Sequence, residues 1–216
     1  MVLPTEPYRE QVKVWPKSGR HILAHYDDRS VVVYQAYRMS IGLYAVEHGR
    51  FGGEFSYSRM SWVKPNFLWM MYRCGWGTKE NQEVTLALRL RREFFESLLA
   101  QAVPSTWDRD LFTTPEEWAR AVARSSVRLQ WDPDHHPSGA KLERRAIQLG
   151  LRGAVLEAFG QRELLEVIDL SEFVAGQRSR LSADGVSALY TPRERVYVPA
   201  DPAVAARLGL SPESAA

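Results

Sequence analysis

Cysteine is almost missing: Cys74 is the single one among 216 residues. One thiol makes neither an intramolecular disulfide nor a thiolate metal cluster, so the fold has to be held by its core. Long apolar runs are also missing. The longest nearly uncharged stretch, Asn66 to Tyr72, falls far short of the ~20 residues a helix needs to span a bilayer. Glu6, Arg9 and Glu10 interrupt the stretch where a secretory signal requires an unbroken apolar core. A soluble, cytoplasmic protein is the expectation. An excess of one charge is lacking too, since 28 Lys plus Arg against 26 Asp plus Glu leave +2. Whole-molecule electrostatics therefore marks neither a nucleic-acid nor a membrane binder, and any polyanion site must be local. There is no Gly-x-Ser-x-Gly elbow and no Walker loop.

What is present is enough apolar material for one sizeable core, 45% hydrophobic and 11% aromatic. Residues 1–18 hold three prolines and no sustained period, so they read as an extended N-terminal arm that docks through Trp15. Residues 19–198 read as a single domain, and 199–216, rich in Ala, Pro and Ser, as a flexible tail. Strand patterns recur at Val31 to Ala36, Arg59 to Val63, Val84 to Leu90, Val127 to Trp131, Arg145 to Leu149 and Leu164 to Leu170, the last of which could equally end a helix. Helical patterns occupy Met39 to His48, Asn66 to Arg73, Arg91 to Ala102 and Pro115 to Arg124. The last has Thr114 as N-cap, Pro115 at the first position and Glu117 placed for a capping box. The order is too irregular for a doubly wound sheet, so the expected class is α+β: a mixed, mostly antiparallel sheet with flanking helices.

The densest chemistry lies between Arg59 and Arg92, where seven basic residues meet two acidic ones and three tryptophans. Cations interleaved with aromatics suit an anionic, planar ligand, because phosphate takes charge-assisted bonds while a base or nicotinamide stacks. The same pattern also describes core aromatics beneath a solvated cationic face. Trp76 between Gly75 and Gly77 indicates a shaped loop. Histidine and aspartate say less. His21 and His25 have helical metal spacing but lead into a strand, Asp132-Pro133 reads as a turn, and His135-His136 as an exposed one; no metal site is expected.

Tyr34 to Tyr37, the long block Arg59 to Gly77, Gln130 to Pro133 and Ala146 to Leu151 resemble the hallmark blocks of the DUF4291 family, whose name carries no activity. More distantly, the order of a Val-Tyr strand, a helix, a strand with a hydroxyl residue, a helix, an apolar strand and a later short polar block is similar to the ADP-ribosyltransferase-like fold. That resemblance implies NAD as substrate or ligand. It implies catalytic positions at Gln35, Ser61 and Gln148, although Gln replaces the usual His or Arg at the first and Glu at the third. Neutral Gln148 supplies less field for a developing oxocarbenium, for which Glu143 or Glu54 could substitute. Arg59, Lys64 and Arg73 would hold the pyrophosphate, and Tyr37, Trp62 or Trp76 would stack. Gln35 and Gln148 could equally be buried amides satisfying sheet-edge groups. The expected function is binding of NAD or an ADP-ribose-like nucleotide, with transferase or glycohydrolase chemistry. Two rivals are a single-stranded RNA or DNA module using the same basic-aromatic groove and a structural protein whose tryptophans are core.

Overall fold

A computed structural model describes residues 3–212. The chain opens with β1 (Thr5–Pro7), α1 (Tyr8–Val14), β2 (Gly19–Arg20), β3 (Ile22–Ala24), β4 (Ser30–Tyr37) and α2 (Met39–His48). Next come β5 (Ser61–Val63), α3 (Phe67–Cys74), β6 (Val84–Arg91), α4 (Arg92–Gln101), β7 (Val103–Pro104) and α5 (Pro115–Arg124). The two longest strands follow, β8 (Val127–His135) and β9 (Lys141–Leu151), then α6 (Gly153–Gln161), β10 (Leu164–Asp169), α7 (Ser171–Asp184), β11 (Tyr190–Pro192), β12 (Arg195–Tyr197) and α8 (Pro202–Arg207).

The class is α+β with mostly antiparallel pairing; β2–β9 and β7–β8 are the parallel pairs among the described residues. One sheet runs β10-β6-β4, and another places β9 between β8 and the short strands β2 and β5. They meet where Tyr34 and Lys64 exchange backbone hydrogen bonds, at 2.7 and 3.3 Å, so the whole curls into a half-barrel. Alternation along β4 divides the core. Val31 and Val33 face an inner cluster with Leu86, Leu88, Leu149, Leu151, Phe95 and Phe159, which α4 and α6 help to fill. Val32 and Tyr34 face an outer cluster with Phe67, Met70 and Met71 of α3 and Val174 of α7. Helix α2 lies close on the sheet because Gly42 has no side chain: a Cβ there would sit 2.5 Å from Val84.

Four expectations are corrected, the last in part. The N-terminal segment is not an extended arm. It pairs β1 with β11 and buries Leu3, Tyr8 and Trp15 in the outer cluster, while Gln11 bonds Thr191, Pro192 and Glu194. Residues 199–212 are not a frayed tail either, since Val204 and Leu208 pack on the inner core and Arg207 donates to the carbonyls of Leu99, Ala100 and Ala102. Residues 1–2 and 213–216 lie outside the described residues. Asp132-Pro133 is no turn but part of β8, where Pro133 pairs with Arg145. Strand β7 covers β8 only at Arg128 and Leu129, so Pro133 sits on an edge where a missing N–H is tolerated. His136 is exposed as expected, whereas His135 is buried against Tyr72, ring centroids 3.6 Å apart.

Candidate functional site

The pleat of β5 decides the geometry. Ser61 and Val63 pair with Leu151 and Leu149, whose side chains belong to the inner core, so Ser61 faces inward. Trp62 pairs with Gly150 and faces outward, as does Lys64. Residues adjacent in sequence are thereby sent to opposite surfaces, and the predicted site residues separate into two groups.

The inner group is Gln35, Tyr37, Ser61 and Arg59. Gln35 Nε2 donates to Ser61 Oγ at 2.8 Å and to the Trp62 carbonyl at 3.0 Å, and the Tyr37 and Ser61 hydroxyls are 2.8 Å apart. Burial pushes the Tyr37 phenol well up, so it stays protonated. Tyr37, Ser61 and Arg59 line a cleft of about 480 Å³ together with Arg38, Glu54 and Asn81.

The outer group is Trp62, Lys64, Arg73 and Gln148, and the structure adds three residues that sequence reasoning had not assigned: Arg128, Gln130 and Asp132. In β8 these three alternate with Val127, Leu129 and Trp131, which face the inner core, so their side chains share the outer surface. That alternation was the signal available in the sequence. Gln130 lies opposite Gln148, and both amides donate to Asp132, at 3.0 Å to Oδ1 and 2.8 Å to Oδ2. Each carboxylate oxygen thus has an amide donor. Arg128 lies opposite Gly150, where a Cβ would be 3.0 Å from the Trp62 ring and 2.7 Å from Met60 Sδ; only glycine lets the indole lie across the sheet.

Lys64 is 6% exposed and makes no side-chain hydrogen bond and no ion pair within 4.0 Å to any described residue. Its amine is held down to about 8, first by burial, then by Arg73, with Asp132 opposing. Arg128 is likewise without a partner among the described residues, and its Nη1 is buried and unbonded. Burial and Arg152 lower its pKa. Arg73 is exposed and sits 6.0 Å over the Trp69 ring. The outer surface therefore carries three cations, Lys64, Arg73 and Arg128, and the Asp132 carboxylate, which forms no ion pair with any of them.

Gln148 does not join Gln35 and Ser61: three residues from Leu151 along β9, it points to the other face. Trp76 joins neither group. With φ of 56° between two glycines of positive φ it turns into the outer core, edge-on to Phe67 at 6.1 Å, and its carbonyl accepts from Arg178. Glu54 lines the inner cleft, whereas Glu143 is exposed on β9. No group of three His, Cys, Asp or Glu among the described residues is placed to hold a metal ion.

Fold and surfaces together define a curled-sheet α+β protein with a polar cleft inside the curve and a cation-rich face outside it. The profile of DUF4291, a domain of unknown function, matches residues 21–197, and the chain belongs to that family. No curated protein matches it.

Proposed function

We propose that the outer face binds a nucleotide of the NAD or ADP-ribose type. One observation carries the reading: Lys64 is buried with no ion pair, Asp132 attracting it only from beyond 4.0 Å, and on the same face the half-buried Arg128 has its Nη1 buried and unbonded. A charge held away from water is costly unless paired, so a bound anion would supply the partner that each side chain lacks. Two strands and two residues separate the positions, which at ordinary sheet spacing puts their Cα atoms ~12 Å apart. That separation suits an extended dianion such as a pyrophosphate carrying its ribose. Between them the Trp62 indole offers a face for a base, and the Gln130 and Gln148 carbamoyl oxygens, left over after their NH2 groups bind Asp132, can accept from its edge.

The choice of NAD or ADP-ribose over other nucleotides rests on the resemblance, in the order of strands and helices along the sequence, to the ADP-ribosyltransferase-like fold. With Ser61 and Gln148 on opposite faces, the reading is binding and not ribosyl transfer. The test is titration calorimetry of the full chain with NAD, ADP-ribose and a single-stranded RNA oligomer. Saturable binding of NAD or ADP-ribose that is lost in both Lys64→Met and Arg128→Met supports the reading. Equal affinity in the two variants overturns it, and RNA binding alone, weakening steeply with salt, replaces it with a strand-binding module.

A further inference from the structure

The inner cleft is absorbed by none of this. Its chemistry can be counted atom by atom. Arg38 is neutralised by Glu54 at 2.7 Å, and Ser40 Oγ adds a hydrogen bond to the same carboxylate at 2.5 Å. Arg59, on the same lining, has no hydrogen bond or ion pair with any described residue, so the cleft holds one uncompensated positive charge. Ser61 Oγ accepts from Gln35 Nε2. Tyr37 and Ser61 then share one of their two hydroxyl hydrogens, and the second has no acceptor among the described residues. The Asn81 carboxamide is unengaged as well, at a residue whose φ of 62° lies in the left-handed region that asparagine tolerates. Ile41, Phe55 and Met60 make the rest of the lining apolar.

We propose that this cleft is a second ligand site, independent of the nucleotide face, and that it takes a small organic monocarboxylate with an apolar body. One free guanidinium matches one negative charge, and its planar fork accepts a carboxylate on two parallel hydrogen bonds. The spare hydroxyl hydrogen and the Asn81 amide supply further donors to the same oxygens. About 480 Å³ is the size of a small-molecule site. Because Ser61 and Trp62 point to opposite faces of β5, the two ligands would not touch.

The experiment is calorimetry of the full chain with hexanoate, hexyl phosphate and hexanol as probes. Hexanoate is expected to bind saturably and more tightly than hexyl phosphate, with no saturable heat from hexanol. Arg59→Met should weaken hexanoate about tenfold or more and Arg59→Lys by less, with the melting temperature unchanged in both because Arg59 is exposed and unpartnered. Lys64→Met should leave hexanoate binding intact, which separates this site from the nucleotide reading. No saturable hexanoate binding at millimolar concentration, equal affinity in Arg59→Met, or hexanol binding as well as hexanoate would overturn the proposal. Tighter binding of hexyl phosphate would overturn the carboxylate assignment, and loss of hexanoate in Lys64→Met would overturn the independence of the site.

Discussion

Replacing Lys64 with methionine should make the protein more stable and less able to bind its ligand. Methionine keeps the length and flexibility of the buried stem while removing the ammonium, so packing on β5 and under α3 is largely conserved. The cost being removed follows from the titration. The amine falls from 10.5 to about 8, and each pH unit is ~1.4 kcal/mol, so the protonated lysine destabilises the fold by on the order of 3 kcal/mol. The sign is fixed by proton counting. Below pH 8 both states hold the proton and the penalty is complete; between 8 and 10.5 the unfolded chain still holds it while the folded one has released it, so stability rises with pH across that window. Urea unfolding at pH 7 should therefore show Lys64→Met ahead of the wild type by up to ~3 kcal/mol at unchanged m, with the gap closing by pH 10.5. Calorimetry with ADP-ribose near pH 8, in buffers of different ionisation enthalpy, should show proton uptake by the wild type, because a bound phosphate restores the lysine's affinity for its proton. A variant that is less stable by the same amount at both pH values, together with no proton uptake, would refute the reasoning and return Lys64 to an ordinary packing role.

Gly150→Ala places a methyl against Met60 Sδ and the Trp62 ring, so it should cost ~1–3 kcal/mol by urea unfolding and weaken ADP-ribose by displacing the indole. Arg144→Met leaves Asp134, 1% exposed, without the guanidinium that bonds it at 2.6 and 2.8 Å. A loss of ~3–5 kcal/mol is expected, with faster proteolysis of residues 3–18, since Arg144 also donates to the Pro16 carbonyl and lies over Trp15. His135 is held below its usual value, chiefly by burial, so the unfolded chain takes up a proton first and stability falls as pH drops through 6.5. His135→Phe, retaining the stack on Tyr72, should flatten the unfolding free energy between pH 7 and 5; an unchanged slope would show that His135 is already charged in the fold. Thr114→Ala removes the acceptor for the Glu117 N–H and should lower stability by ~1 kcal/mol or less, α5 having no buried residue.

The parts of the fold that could be read from the sequence are those whose signal is local. Helices α2 and α5 begin and end where the apolar period and their flanking residues indicate, and Thr114 caps α5 as its type predicts. Strands β4, β6, β8 and β9 carry long β-branched or alternating runs. What escaped is non-local. Strands β1, β2, β3, β11 and β12 are two or three residues long, too short for a period, and exist because a partner far along the chain completes them, as Thr5 does with Pro192. Helix α7 has its polar residues spread around it, with Val174 and Gln177 its buried positions, so it shows no apolar stripe.

The site was half legible for a related reason. Residue type singled out Trp62, Lys64, Arg73 and Gln148, but grouping them with Gln35 and Ser61 treated a strand as if neighbours in sequence were neighbours in space. A strand alternates, so Ser61 and Trp62 belong to different surfaces, and the partners of Trp62 must be sought on other strands at matching parity. Applied to Val127 to Asp132, the same parity puts Arg128, Gln130 and Asp132 on the face of Gln148 once β8 and β9 are paired in register. That register is the fact the sequence withheld. With it, a lysine that looked like one cation among seven becomes a buried one that Asp132 attracts without forming an ion pair, and a bound anion on this surface would answer the electrostatic demand that remains.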